Sequence, residues 1–428
     1  MNLRILHFVN SFAPIWGGKT TRLLELLRHD GNMHSLVVPR DPSPHVPEQE
    51  RGLSGEEQID NFTITRIPQP QNPPISMPML DYIVHSRRLV TEAIRLARSA
   101  PPGPYDLISG HTSLEFGLAS LFYAATNSVP LIYEAHGLLE DSLWQPKDPV
   151  RRAYHRLMQG TMLRAEARVL KAAHGIIVQT ESMKDRIART YRISPERICV
   201  IPNGVNVNRF DPARWVDSAM ALRASRAWGD RTVVLYAGFL DRTNGVHLLL
   251  DLAQQMPDEL REHMVLAVAG RGELERQVER SAALPWFDYL GVVAHDKMPA
   301  LYGAADLVVI PRPRNAASET LTPVKLLEAM AMAKPVLVSD VPAMTELIQD
   351  GVTGFTFSAD HMEEFGSSLI SLCRDNRSLS HIGHEARTRV VEGYQWSASR
   401  ARLDTFYHTF CYAGVEASVR IHSGHRRE

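Results

Sequence analysis

What most limits the fold of this chain is a pattern that occurs twice: a short apolar run, a turn, a helical stretch, then another apolar run. Leu3–Val9 is the first run, Pro14-Ile15-Trp16-Gly17-Gly18 breaks it, and Thr20–Leu27 reads as a helix. Further buried strands are predicted at Ser35–Val38, Thr63–Ile67, Leu107–Ser109, Leu131–Glu134 and Gly175–Val178, with Asp81–Ser99 an amphipathic helix among them. Asp41 to Gly55, rich in Pro, Glu and Gln, reads as a loop. A second set begins at Thr232, with strands predicted at Val233–Ala237, Met264–Ala269, Tyr289–Leu290, Leu307–Ile310 and Pro335–Val338. Alternation of this kind predicts an α/β chain whose parallel sheets are covered by helices on both faces. Two sets predict two doubly wound domains.

Length agrees, since 428 residues exceed one ordinary core. The predicted division is 1–205, 206–385 and a helical segment and tail at 386–428. The boundary falls in the Pro- and Asn-containing stretch that begins Ile201-Pro202-Asn203-Gly204. A formal net charge of -1 gives no global field for nucleic acid. Cys199, Cys373 and Cys411 show neither metal-ligand spacing nor a disulfide framework, which fits a reducing compartment. The first residues are too quickly polar for a signal peptide, and no apolar run reaches the ~18 residues of a membrane span. The expected location is the cytoplasm, with attachment to the inner face of the cell membrane through basic helices. Arg151, Arg152, Arg156, Arg164, Arg168 and Lys171 interleave there with Leu157, Met158, Met162, Leu163 and Leu170, and His85, Arg87, Arg88, Arg95 and Arg98 form a second basic set. An anionic membrane surface is therefore one expected partner.

In doubly wound folds ligands sit outside the carboxyl ends of the strands, so the loops after strands carry most weight. The strongest lies at Arg312 to Met332, after the Leu307–Ile310 strand. Thr322 is a good N-cap and Pro323 a favoured first helical residue, so a helix is expected to start there and offer its N–H groups to an anion. Lys325 sits in the first turn, where a cation opposes the helix dipole unless a diphosphate binds. Arg312 and Arg314 approach from the same loop. Glu328, three residues after Lys325, is placed to accept from ribose hydroxyls. Gly17-Gly18 marks the first strand-to-helix turn of the first domain, and Gly270-Arg271-Gly272 opens a helix in the second.

These residues resemble glycosyltransferase family 4, particularly its bacterial envelope and exopolysaccharide members. Ile201-Pro202-Asn203-Gly204-Val205-Asn206 with Phe210-Asp211-Pro212, Glu328-Ala329-Met330-Ala331 through Lys334-Pro335-Val336, Glu346, and Gly351-Val352-Thr353-Gly354 extend the likeness over nearly the whole chain. The resemblance implies a GT-B fold: two Rossmann-like domains facing a cleft, with C-terminal helices. It implies a retaining transferase moving a hexose-type sugar from a nucleotide diphosphate sugar, a UDP-sugar before GDP-mannose, to a saccharide or lipid-linked acceptor in polysaccharide or glycoconjugate synthesis. His136, Lys325, Glu328 and Arg312 would be catalytic. The donor would be held by Gly17, Gly18, Gly238, Arg242, Gly270, Arg271, Val293, Glu319, Thr320, Leu321 and Thr322, besides Lys325 and Glu328. His111 and Glu134 would face the acceptor. No metal or other cofactor is expected, since no Asp-x-Asp is placed for one.

The sequence departs from the family at two places. Thr320 stands where many members carry the first of two glutamates, with Glu319 beside it. In Gly238-Phe239-Leu240-Asp241-Arg242-Thr243-Asn244-Gly245, Phe239 and Asn244 replace the usual arginine and lysine, and Arg242 is the available substitute. A GT-B sugar-nucleotide epimerase and a non-catalytic nucleotide-sugar-binding protein remain open as alternatives, as does a phosphorylase with a pyridoxal-bearing lysine.

Overall fold

The computed structural model describes residues 2–10, 12, 18–28, 30–39, 55–67, 90–139, 149–374 and 379–423, with backbone alone at 149–159 and 412–423. Gly17, most of the Asp41–Gly55 stretch and residues 81–89 of the expected Asp81–Ser99 helix lie outside them; 90–98 is helical. The chain forms two compact units, Met1–Ile201 with Ser399–Glu428, and Pro202–Ala398. The first break thus falls before Pro202, and the expected segment 386–428 is shared between the units.

In the first unit, among the described residues, eight strands form one sheet: β1 (Arg4–Phe8), β2 (Met33–Pro39), β3 (Gly55–Ile59), β4 (Phe62–Ile67), β5 (Leu107–His111), β6 (Leu131–Glu134), β7 (Gly175–Val178) and β8 (Ile198–Val200). Their order is β3-β4-β2-β1-β5-β6-β7-β8. Every residue of β5, β6 and β7 is buried, as strands covered on both faces must be. The edge differs from expectation. Gly-Glu-Glu-Gln-Ile of β3 pairs antiparallel with β4 through a tight turn in which Asp60 takes a positive φ of 51°. Its polar sequence carries no strand signature, because an edge strand needs little apolar surface.

The second unit has six strands among the described residues: β9 (Thr232–Ala237), β10 (Met264–Ala269), β11 (Phe287–Gly291), β12 (Leu307–Ile310), β13 (Val336–Ser339) and β14 (Phe355–Phe357). The order β11-β10-β9-β12-β13-β14 reverses direction between β9 and β12, the point where such sheets bind ligands. Two apolar cores flank it, one under the helix Val324–Ala331 and one under Val246–Gln254. The turns after its strands are laced by backbone bonds: Gly238 N–H donates to Ala269 O, Gly270 N–H to Gly291 O, and Leu240 N–H to Arg271 O.

Such close approach explains the glycines. At φ +136° a Cβ on Gly270 would collide with the carbonyl of Gly238, and one on Gly245, at φ +78°, with that of Pro311. Gly18 is different. It begins the helix Gly18–Leu27 and has open space where a Cβ would stand. Gly270→Ala should therefore cost more than about 2 kcal/mol of the second unit's stability, since its obstacle is backbone that cannot rotate away. Gly18→Ala should leave the melting temperature unchanged. Thermal unfolding of the two variants checks both statements.

Candidate functional site

The carboxyl ends of β1, β5 and β6 bring polar residues together in the first unit. Glu134 ends β6, almost wholly buried, and accepts a bond of 2.6 Å from Arg22 Nε on the helix Gly18–Leu27. Arg22 also donates to Ile201 O at 2.8 Å. Burial alone would raise the Glu134 carboxyl; Arg22, His136 and His111 outweigh it and hold the group at about 2. Lys19 Nζ lies 3.3 Å from Thr112 O and 3.4 Å from Asn10 Oδ1, and burial lowers its ammonium while Glu134 pulls the other way. Glu166, on the helix Pro149–Ala172, accepts from Leu139 N–H at 2.9 Å and Tyr191 O–H at 2.5 Å, pinning the chain just after His136-Gly137.

His111 and His136 are both buried, with His111 Nδ1 3.2 Å from His136 Nε2. Among the described residues, these two and Glu134 are the one group of side chains close enough to hold a metal ion. Their geometry argues against that use. The rings are 14° from parallel with centroids 5.5 Å apart, so the two nitrogens point at one another rather than at a common third point. Glu134 already carries Arg22, and Lys19 adds a second cation against any dication.

Behind His111 lie two histidines that the sequence analysis does not single out. The Nε2 of His111 is 3.2 Å from His7 Nδ1, and His7 Nε2 is 2.9 Å from His34 Nδ1. His34 Nε2 in turn reaches both oxygens of Asp30 at 3.0 and 3.1 Å. At the other end Gln179 Nε2 is 3.2 Å from His136 Nδ1.

In the second unit the helix Val324–Ala331 starts one residue later than expected, with Pro323 at the N-cap position. Thr322 does not cap it: its hydroxyl donates to Ala343 O at 2.8 Å, and its carbonyl accepts from Asn203 Nδ2 at 2.8 Å. The Pro-Asn-Gly motif thus braces the helix start. An unforeseen short helix, Ala316–Thr320, precedes it, capped by Asn315 and Ser318. Thr320 Oγ1 donates to Ala316 O and Leu321 N–H to Ala317 O, while the carbonyls of Leu321 and Thr322 accept from Arg312 and Asn203, so much of the backbone expected to contact the donor is already bonded.

Lys325 and Arg312 converge at the end of β9. Lys325 Nζ stands 4.5 Å from the ring centroid of Tyr236 and 3.5 Å from its hydroxyl. Burial and then Arg312 lower the ammonium to about 7, against the pull of Asp241 and Glu328. Arg312 Nη1 donates to Leu321 O at 3.2 Å, but its buried Nε has no partner among the described residues. Arg314 does not join them. It pairs with Asp360 at 2.8 Å, Asp340 at 3.1 Å and Glu319 at 3.5 Å, and so engages Glu319 as well. Glu328 is buried and accepts from Tyr302 O–H at 3.1 Å, with His295 Nε2 3.2 Å away. Arg242 and Arg271 are exposed, and the Val293 side chain packs on the core, leaving its backbone to any ligand.

Two Rossmann-like units in one chain, each with its polar residues at the strand ends of the switch point, constitute the GT-B fold. Residues 16–209 match the model of "Glycosyltransferase Family 4" and 231–375 that of "Glycosyl transferases group 1". The chain belongs to glycosyltransferase family 4 and is a transferase enzyme. It is 27% identical over 341 residues to a D-inositol 3-phosphate glycosyltransferase of Kribbella flavida, covering 75% of this chain and 74% of that one. It is 28% identical over 359 residues to the enzyme of that name from Pseudarthrobacter chlorophenolicus, covering 80% and 77%. Sucrose-phosphate synthase from Thermosynechococcus elongatus superposes with a TM-score of 0.73 at 19% identity, over 96% of this chain and 100% of that one. An Anabaena protein solved in complex with UDP gives 0.69 at 18%, over 95% and 100%. At such identities the structural likeness speaks for the fold alone. No helix among the described residues is long and apolar enough to cross a membrane.

The buried histidines make stability depend on pH. Burial, the first cause in each case, lowers His7 and His136 well below the ordinary value of 6.5 and His111 to about 4. The unfolded chain therefore binds more protons than the folded one below 6.5. Stability is complete above that value and falls as pH drops toward 4, by up to about 1.4 kcal/mol per pH unit for each ring. Glu134 extends the loss below 4.5, its ordinary value, toward 2. Urea unfolding between pH 8 and pH 4.5 should show the midpoint falling below pH 6.5; a level midpoint down to pH 5 contradicts neutral buried rings.

Proposed function

We propose that the chain transfers a hexose-type sugar from a nucleotide diphosphate sugar with retention at the anomeric carbon. One observation carries the reading: Lys325 and Arg312 are crowded together with depressed basicity and a buried guanidinium nitrogen that no described residue bonds. Two cations held this way favour an anion, and the start of the helix Val324–Ala331 adds its N–H groups. A UDP-sugar is the preferred donor and GDP-mannose the second; the Anabaena neighbours solved with UDP and with UDP-glucose support that order. Glu328 would accept from the ribose, exchanging Tyr302 or His295 for its hydroxyls.

The chemistry proposed is front-face displacement. The donor C–O bond loosens, the acceptor oxygen enters on the face the diphosphate leaves, and the departing phosphate takes the acceptor proton. Lys325 and Arg312 stabilise the growing negative charge. The acceptor is a saccharide or lipid-linked saccharide of polysaccharide synthesis. A phosphorylated polyol is the second reading, favoured by the relatives named for inositol 3-phosphate. Docking on an anionic membrane belongs to the same proposal, supported by exposed Arg164, Arg168 and Lys171 on the helix Pro149–Ala172. Leu170 is buried and takes no part in it.

Lys325→Ala should lower kcat by roughly 100-fold or more, because its contact strengthens as the diphosphate leaves. Free Lys325 loses its proton near pH 7, and diphosphate binding requires that proton. UDP affinity should therefore weaken as pH rises past 7, approaching tenfold per unit, and this dependence should vanish in Lys325→Ala. Calorimetric titration at several pH values measures it, and a level affinity would remove Lys325 from the phosphate site. Turnover is expected to survive EDTA, since side-chain cations and helix N–H groups take the place of an ion. Loss restored by Mn²⁺ or Mg²⁺ would refute that expectation.

A further inference from the structure

Four buried imidazoles run in one hydrogen-bonded line across the first unit's sheet. The strand register explains the line. His34 lies opposite Ile5, His7 opposite Ser109, and His111 opposite Glu134, so each ring stands two residues further along than its neighbour, on one face. The line ends at Asp30 on one side and, through His136, at Gln179 on the other.

Its ends decide where the protons are. Asp30 receives His34 Nε2, Asn32 N–H at 2.9 Å and Asn32 Nδ2 at 3.1 Å, so it can only be an ionised acceptor. A neutral His34 must then carry its proton on Nε2 and present a lone pair at Nδ1. His7 supplies Nε2–H to that lone pair, His111 supplies Nε2–H to His7, and His136 supplies Nε2–H to His111. The lone pair left on His136 Nδ1 faces the amide nitrogen of Gln179, a donor. Four neutral rings in the same tautomer satisfy every bond.

Glu134 pulls the other way, its Oε2 being 3.4 Å from His111 Nδ1. If His111 donated there, either buried His7 or buried His34 would carry two protons, or Asp30 would face a lone pair. Burial opposes the first, and Glu134 already holds Arg22 at 2.6 Å. The remaining polar or charged neighbours, Lys19, Ser109 and Tyr407, do not alter this order: Ser109 Oγ lies 3.2 Å from His111 Nε2 and can share its N–H.

We propose that Asp30 is a positioning residue that acts through His34, His7 and His111 to hold His136 as the Nε2–H tautomer, so that its Nδ1, bonded to Gln179 in the free chain, is the acceptor a sugar hydroxyl meets on displacing that amide. The functional half of this inference rests on the catalytic role that the family resemblance implies for His136, taken as contact with the donor sugar; the tautomer half does not.

Long-range ¹H–¹⁵N correlation of the full chain labelled with ¹⁵N-histidine reads the tautomers, with single His→Gln variants for assignment. The wild type should show Nε2–H at His7, His34, His111 and His136. Asp30→Asn places an amide donor before His34 and should reverse the order, moving His111 and His136 to Nδ1–H, while Asp30→Glu should restore it. A merely structural Asp30 would not move rings three and four places away. Folded Asp30→Asn with unchanged His111 and His136 overturns the relay, and so does wild-type His111 in the Nδ1–H form, which also serves if the variant does not fold. Turnover separates the two halves. Reversal with kcat lowered at least tenfold and UDP affinity unchanged supports both, whereas reversal with unchanged kcat keeps the relay and takes His136 off the sugar.

Discussion

The ligand-facing edge of the first unit depends on one buried ion pair, Arg22 with Glu134. Neither group meets water, and taking both from solvent costs several kcal/mol per ion unless further bonds satisfy them. Here the second arm of Arg22 is spent on Ile201 O, so the pair ties the helix Gly18–Leu27 to the ends of β6 and β8. Removing either partner would strand the other at a cost of about 3–5 kcal/mol. The same pair also decides what its neighbours can be. A carboxylate already holding a guanidinium is a poor metal ligand, and it leaves the Nδ1 of His111 to His136.

The second unit uses the opposite electrostatics. Arg314 is neutralised by three carboxylates, yet Arg312, two residues before it, and Lys325, eleven after it, form no ion pair among the described residues. Burying them together lowers both, a cost that the folded chain bears without return until an anion arrives. Tyr236 relieves part of it by offering its ring face to Lys325. A site arranged this way is stabilised most by the ligand with most negative charge, and a leaving diphosphate is more negative than the bound sugar nucleotide. Under the proposed function, affinity and rate enhancement would come from the same two side chains.

These arrangements were unequally legible in the amino-acid sequence. Buried parallel strands such as Gly175–Val178 and Met264–Ala269 announce themselves because nothing but apolar residues fits between two helical layers. Gly-Glu-Glu-Gln-Ile of β3 does not, being an edge with solvent beside it. Lys325 and Glu328 are visible because a cation in the first turn of a helix is locally unfavourable and demands a reason. Arg22 looks like any arginine on an amphipathic helix, and its burial is decided by a glutamate 112 residues away. Arg312 and Arg314 are equivalent in sequence, and contacts with Asp340, Asp360 and Glu319 tell them apart. One signal went unused: His7 and His34 interrupt apolar strands in phase, where an isolated polar group would be costly unless something answered it.

That answer is a chain of neutral rings, and neutrality is what lets it be long. A row of buried ions would multiply desolvation costs, while imidazoles exchange donor for acceptor across each ring at no net charge. Each ring passes on only the choice of which nitrogen bears the proton, and that choice is all or none, because a single reversed ring leaves one neighbour facing lone pair to lone pair and another facing proton to proton. A carboxylate at one end therefore sets the character of a nitrogen at the other without moving a backbone atom. Charge at Glu134 is kept out of the sequence by Arg22. The ion pair and the histidine line are thus one device, in which the first removes the competitor that would let the second point either way.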